Sequence, residues 1–199
     1  PPHLVDPWIG VTSVTSTLRQ AWVGLRLLLV MTVLLGVIYP LGVFVVGRVA
    51  PGSADGSFVT AADGAVVGSA LIGQQFDGAE WFHPRPSAAG EGYDPLASGG
   101  TNLGPENPDL IAAVAERIAA VAEENGVDPS MVPADAVTAS GSGLDPDISP
   151  EYAAIQVQRV AAARGLAVAE VEALVADSTN GRILGFLGEP RVNVLTLNL

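Results

Sequence analysis

Between Arg26 and Arg48 the chain runs 21 residues without a charge, LLLVMTVLLGVIYPLGVFVVG, from Leu27 to Gly47. At ~1.5 Å per residue this is roughly 31 Å of helix, about the thickness of a bilayer's hydrocarbon core. A soluble core helix of that length would keep a polar face. A cleaved leader has an apolar stretch of only ~7–15 residues followed by a small-residue cleavage site, whereas Arg48 and Pro51 crowd the place where that site would lie. The reading is one N-terminal transmembrane helix over residues 21–49, preceded by a disordered cytoplasmic tail (1–20) and followed by one extracytoplasmic α+β domain (50–199).

The arginines set the orientation. Arg19 and Arg26 flank the span on its N-terminal side, and only Arg48 sits close on the other, followed by Asp55, Asp63, Asp77 and Glu80. Positive flanks stay cytoplasmic, which puts the N-terminus inside and the following ~150 residues outside by the same rule. Pro40 lies within the span, where it removes one helical hydrogen bond and is expected to kink the helix. A lone anchor gains nothing from that. A helix packed among others can have the freed carbonyl satisfied, and Gly36 and Gly42 offer small contact surfaces, so Tyr39-Pro40 points to helix partners.

Charge and composition exclude several functions. Beyond Arg48 stand 20 acids against six arginines, a formal charge of −14, which disfavours nucleic acid or an anionic lipid surface as partner. There is no Lys and no Cys. P-loop, Ser-x-x-Lys and Schiff-base chemistry are therefore out of reach, as are disulfides.

Local signals organise the domain. Phe58-Val59-Thr60 and Ala65-Val66-Val67 flank Asp63-Gly64, a hairpin turn dipeptide. Asn107-Pro108-Asp109 starts a helix whose apolar positions Ile111, Val114, Ile118 and Val121 run to Asn125-Gly126. Ser149-Pro150-Glu151 starts another, ending near Arg164-Gly165, and a third covers Val168–Asp177. The alternation from Val192 to Leu197 predicts a closing strand.

Two irregular stretches, Phe82 to Pro105 and Thr138 to Pro150, exceed the ordinary length of connectors and are expected to be functional. Enzyme constellations fail in them. Ala139-Ser140-Gly141-Ser142-Gly143 lacks the first glycine of a nucleophile elbow. One histidine outside the membrane, His83, is too few for a zinc centre. Asp145-Pro146-Asp147-Ile148-Ser149 opens like a calcium loop, but Pro150 stands where that turn needs glycine, so these acids read as a helix start. Arg85, flanked by prolines, is expected to fix an acidic partner or a loop carboxylate such as Asp94. Pro40, Arg85, Asp94, Asn102 and Asp145 are the candidate interface residues, with no catalytic or metal-binding residue.

The blocks YPLG, GSALIGQ, WFHPRPSA, ASGGTNLGP, VTASGSGLDPDISP, QVQRVA and GEPRVNVL, in this order from about Leu25 to Leu199, make the chain resemble the C subunits of bacterial Kdp potassium-transporting ATPases. That resemblance implies a non-catalytic subunit of an ATP-driven complex importing potassium at high affinity. Its partners would be a channel-like subunit that binds potassium, a P-type ATPase subunit that binds ATP, and a small single-span subunit. The resemblance also implies a catalytic chaperone that raises the ATPase subunit's affinity for ATP, with a nucleotide contact at Gln156 or Gln158 beside Arg159. An external domain cannot touch cytoplasmic ATP, so the topology favours Gln156 and Arg159 packing on a helix face or pairing with the loops, the domain capping the potassium entrance, and any effect on ATP passing through a shared conformational equilibrium. The alternative is a membrane-anchored extracytoplasmic binding module unconnected with transport.

Overall fold

The structure, a computed structural model, describes residues 14–49 and 51–199, and the chain divides into two compact units after Ala54. In the first unit, α1 (Val14–Val33) runs through a π turn (Leu34–Ile38) into α2 (Tyr39–Gly47), and a short α3 (Pro51–Ala54) follows. The continuous helix Ser16–Gly47, 32 residues with an 18-residue stretch of mean hydropathy 2.5, is long and apolar enough to cross a membrane. Leu28, Leu35 and Phe44 are among its many exposed apolar side chains. Among the described residues the helix runs from Val14. Residues 14–20, expected as disordered tail, are thus helical, and the rest of that tail lies outside the described residues. Pro40 is accommodated by the π turn: the Tyr39 N–H donates to Leu34 O, five residues back. That widening relieves the clash a proline ring makes with the carbonyl four residues before it.

The second unit is the α+β domain. It opens with the antiparallel hairpin β1 (Phe58–Thr60) and β2 (Val66–Ser69), with a register shift between Val59 and Thr60. Asp63 Oδ1 accepts the Ala65 N–H at 2.9 Å in its turn. Residues 70–107 then pass without helix or strand. α4 (Pro108–Asn125) starts where Asn107 accepts the Asp109 N–H at 2.8 Å, and stops at Gly126 in the left-handed region (φ 64). A 3₁₀ turn (Pro129–Met131) and α5 (Ala134–Val137) lead to β3 (Asp147–Ile148). α6 (Pro150–Arg164) begins at Ser149, whose Oγ accepts the Tyr152 N–H at 2.9 Å. The Asp135 carboxylate in turn accepts from Ser149 N–H and Oγ–H, at 2.7 and 2.8 Å. α7 (Val168–Asp177), β4 (Thr179–Asn180), β5 (Arg191–Asn193) and α8 (Val194–Asn198) complete the chain.

β5 is the centre of a small antiparallel sheet ordered β3-β5-β4. Its Val192 joins Ile148, Tyr152, Val157, Val160, Val171 and Val194 in the buried core. The small residues of α6, Ala153 and Ala161, are buried with them, which lets neighbouring elements approach closely.

The expected closing strand ends early, at Asn193. That side chain caps α8, its Oδ1 accepting the Thr196 N–H at 3.1 Å, while Nδ2 donates to Ala70 O at 2.9 Å. Val194 and Leu197, three apart, and Leu195 are buried by the helix as a strand would have buried alternate residues. A capping asparagine outweighs a six-residue alternation because the first helical N–H groups have no other partner. Replacing Asn193 by alanine removes both bonds. It should cost about 2 kcal/mol of stability, seen as a lower urea midpoint, whereas alanine at the exposed Glu172 of α7 should change it by less than about 0.5 kcal/mol.

Candidate functional site

The two long irregular stretches interlock. Gly99 N–H donates to Ser142 O at 2.8 Å, and Ser98 Oγ–H donates to the same carbonyl at 2.9 Å. Ser87 Oγ–H donates to Gly143 O at 2.6 Å while accepting the N–H groups of Ala89 and Tyr93. Gly143 (φ 68) sits so close that a Cβ there would lie 2.6 Å from Ala89 N and 2.7 Å from Gly99 O. Only glycine fits that crossing.

Beneath this layer, side-chain amides replace sheet partners. Asn198 Oδ1 accepts the Phe82 N–H at 2.8 Å and its Nδ2 donates to Phe82 O at 2.9 Å. Gln156 treats His83 in the same way: Oε1 accepts the N–H at 2.7 Å and Nε2 donates to the carbonyl at 3.1 Å. Gln156 is 0 % exposed. Arg159 adds Nη2–H to Gln156 Oε1 at 2.7 Å, Nη1–H to the carbonyls of Ala79 and Trp81 at 2.8 and 2.9 Å, and Nε–H to Asn125 Oδ1 at 3.0 Å. Arg164 Nε–H reaches Glu80 O at 2.7 Å, and its guanidinium lies 4.6 Å from the centre of the Trp81 ring. One face of α6, with Asn198 of α8 at Phe82, thus pairs with residues 79–83 along their backbone.

These fixed loops wall a cleft of about 510 Å³. α4 contributes Arg117, Val121 and Glu124 to it; His83, Pro84, Arg85 and Tyr93 form the loop side, with Tyr152 also lining it. His83 Nε2–H donates to Gly78 O at 2.9 Å, and Nδ1 lies 3.2 Å from Glu124 Oε1. Burial pushes the phenols of Tyr93 and Tyr152 above the ordinary tyrosine value, with Tyr152 and Asp145 adding to it at Tyr93, and Glu124 and Asp135 at Tyr152. Both stay neutral, and Tyr93 Oη–H donates to Arg85 O.

The candidate interface residues separate. Arg85 pairs with Asp145, Nη1 to Oδ2 at 2.9 Å, and not with Asp94. The Asp94 carboxylate is taken by its own turn, accepting the Leu96 N–H at 2.8 Å. Asn102 is exposed in the left-handed region (φ 53), its Nδ2 donating to Gly100 O at 3.1 Å. Pro40 belongs to the other unit. Beside Asp145, Asp147 pairs with Arg191 at 3.0 Å, and burial still pushes its carboxyl above the ordinary range. The sequence reading missed Asn125, Asn193 and Asn198. The available signal was an amide side chain set inside apolar runs, as in VNVLTLNL.

Hydrolytic chemistry finds no support in this geometry. Ser140 is buried, its Oγ has no hydrogen-bond partner, and both ring nitrogens of His83 face groups other than a serine. Among the described residues, no three His, Asp or Glu side chains gather as a metal site.

The family profile described as "KdpC: K+-transporting ATPase, c chain" matches residues 21–199. A potassium-transporting ATPase KdpC subunit of Kineococcus radiotolerans is 64% identical over 94% of this chain and 95% of its own. The KdpC subunit of Beijerinckia indica is 55% identical over 92% and 91%, and that of Mycobacterium tuberculosis 54% over 91% and 96%.

Gln156→Leu keeps the side chain's bulk but strands the His83 N–H and carbonyl in the interior. It should lower stability by about 2–4 kcal/mol, measured as the urea midpoint of the detergent-solubilised chain, while Gln158→Leu on the exposed side of α6 should leave it within about 0.5 kcal/mol.

Proposed function

The chain belongs to the KdpC family, the c chain of K⁺-transporting ATPases, and from that membership we propose that it is a non-catalytic subunit that aids assembly of a high-affinity potassium importer. In this reading ATP is bound and hydrolysed by a P-type ATPase subunit. Potassium is bound by a channel-like subunit, and a small single-span subunit completes the complex. The long exposed apolar helix supports a membrane anchor, and the arginine bias of its flanks supports a cytoplasmic N-terminus. The acidic domain then stands outside, over the potassium entrance, where its −14 charge favours cations over anions.

The observation that carries most weight for the mode of action is the state of Gln156. Both atoms of its amide are committed to the His83 backbone, and the side chain is wholly buried. A nucleotide could reach it only by breaking those bonds and opening the domain. The subunit therefore raises the ATPase subunit's affinity for ATP by stabilising one conformation of the complex, the coupling crossing the membrane through packed helices.

The chain has no native cysteine, so Ser16→Cys, Ser98→Cys and Ser142→Cys variants can be probed in intact cells with a membrane-impermeant thiol reagent. Labelling at positions 98 and 142 but not 16 is expected. Labelling at 16 alone would invert the topology, place the domain on the side where ATP is, and overturn this reading.

A further inference from the structure

The cleft lined by α4, α6 and the loop around His83 holds polar groups that the fold leaves unused. Tyr152 is 3 % exposed, and its backbone N–H goes to Ser149 Oγ, but its hydroxyl makes no hydrogen bond to any described residue. Arg85 Nε and Ser140 Oγ are the side-chain atoms enclosed without a partner among the described residues. Tyr152 Oη is not one of them, so it keeps access to the space this residue lines, the cleft. Burial, with Glu124 and Asp135 nearby, keeps the phenol protonated and hence a donor. A phenylalanine would fill the same volume without desolvating a hydroxyl. Arg117 of α4 is the second unused group. Its Nη1–H donates to Val137 O at 3.1 Å, and among the described residues its guanidinium makes no other hydrogen bond and no ion pair.

The charges around the cleft decide what can enter it. Arg85 is matched by Asp145 at 2.9 Å, Glu124 faces His83 Nδ1 at 3.2 Å, and the exposed Asp77 accepts from Gln75 Nε2 at 2.8 Å. Arg117 and Glu124 stand seven residues apart on α4, ~10.5 Å along its axis, so the cleft is polarised with its cationic end at Arg117. One uncompensated cation suits a monoanion. A dianion such as phosphate would turn surplus charge toward Asp77, Glu124 and a domain of −14. The planar fork of arginine matches a carboxylate. Phe76, Pro84, Val121 and Ala136 supply apolar wall, and the volume of about 510 Å³ is that of a small-molecule site. We propose that this cleft binds a small apolar monocarboxylate, with its carboxylate on Arg117 and the Tyr152 hydroxyl and its body against Phe76 and Val121. The site lies within this one chain and stands independently of the subunit reading above.

The test titrates para-fluorobenzoate into the full-length chain in detergent and follows the fluorine resonance, with protein-free micelles as the baseline. Saturable binding with a Kd of about 1 mM is expected for a ligand of this size. Tyr152→Phe should weaken it about tenfold, and Arg117→Gln about tenfold or more. Arg182→Gln, outside the cleft, should bind as the unmodified chain does. The uncharged para-fluorobenzyl alcohol should not bind saturably, and inorganic phosphate should not displace the carboxylate. Urea midpoints check the fold of each variant; Tyr152→Phe keeps the apolar contacts of the ring and decides the matter if Arg117→Gln unfolds. The proposal is overturned by binding no stronger than to micelles alone, by unchanged affinity in Tyr152→Phe or in folded Arg117→Gln, by equal binding of the alcohol, or by displacement with phosphate.

Discussion

The domain depends on two side-chain amides that stand in for a β-strand. Residues 82 and 83 run through the interior with no sheet to receive their backbone. Buried N–H and C=O groups left unpaired each cost about 1–3 kcal/mol. Asn198 satisfies Phe82 and Gln156 satisfies His83, each with a donor and an acceptor in one planar group. Arg159 fastens onto the Gln156 oxygen and the carbonyls before it. The consequence reaches the loops, because the stretch from Pro84 to Pro105, which interlocks with Thr138 to Pro150, begins at this fixed point.

This arrangement explains why polar residues occupy the centre of the fold. A domain whose sheets have only a few rungs lacks backbone partners for a long irregular segment. Asparagine and glutamine supply them without charge, so no counter-ion has to be buried. Arginine is used where several carbonyls converge, since its planar fork presents five donors. Arg159 keeps one edge toward Asn125, which ties α4 to α6 through the same network.

Much of the secondary structure was legible because its signals are local. The β1–β2 hairpin, α4, α6 and α7 announce themselves through Asp63-Gly64, Asn107-Pro108, Ser149-Pro150 and an unbroken apolar period. The end of the chain was misread where two local signals compete, and the cap at Asn193 defeats the alternation. The site was harder to see, since its pairings are distant: Gln156 meets a residue 73 positions away and Asn198 one 116 away. Arg85 shows the same limit. Asp94 is near in sequence but already serves its own turn, so the arginine takes Asp145, 60 positions on.

The wide turn before Pro40 has a geometric consequence for whatever surrounds the long apolar helix. An α-helix advances about 100° per residue, and a π turn absorbs one extra residue without a full extra step. Any contact stripe along α1 therefore slips by one position on passing into α2. A neighbour that follows the first half of the helix faces a different set of side chains in the second. The two halves of one helix can thereby serve two different neighbours, and Pro40 fixes where the change of face occurs.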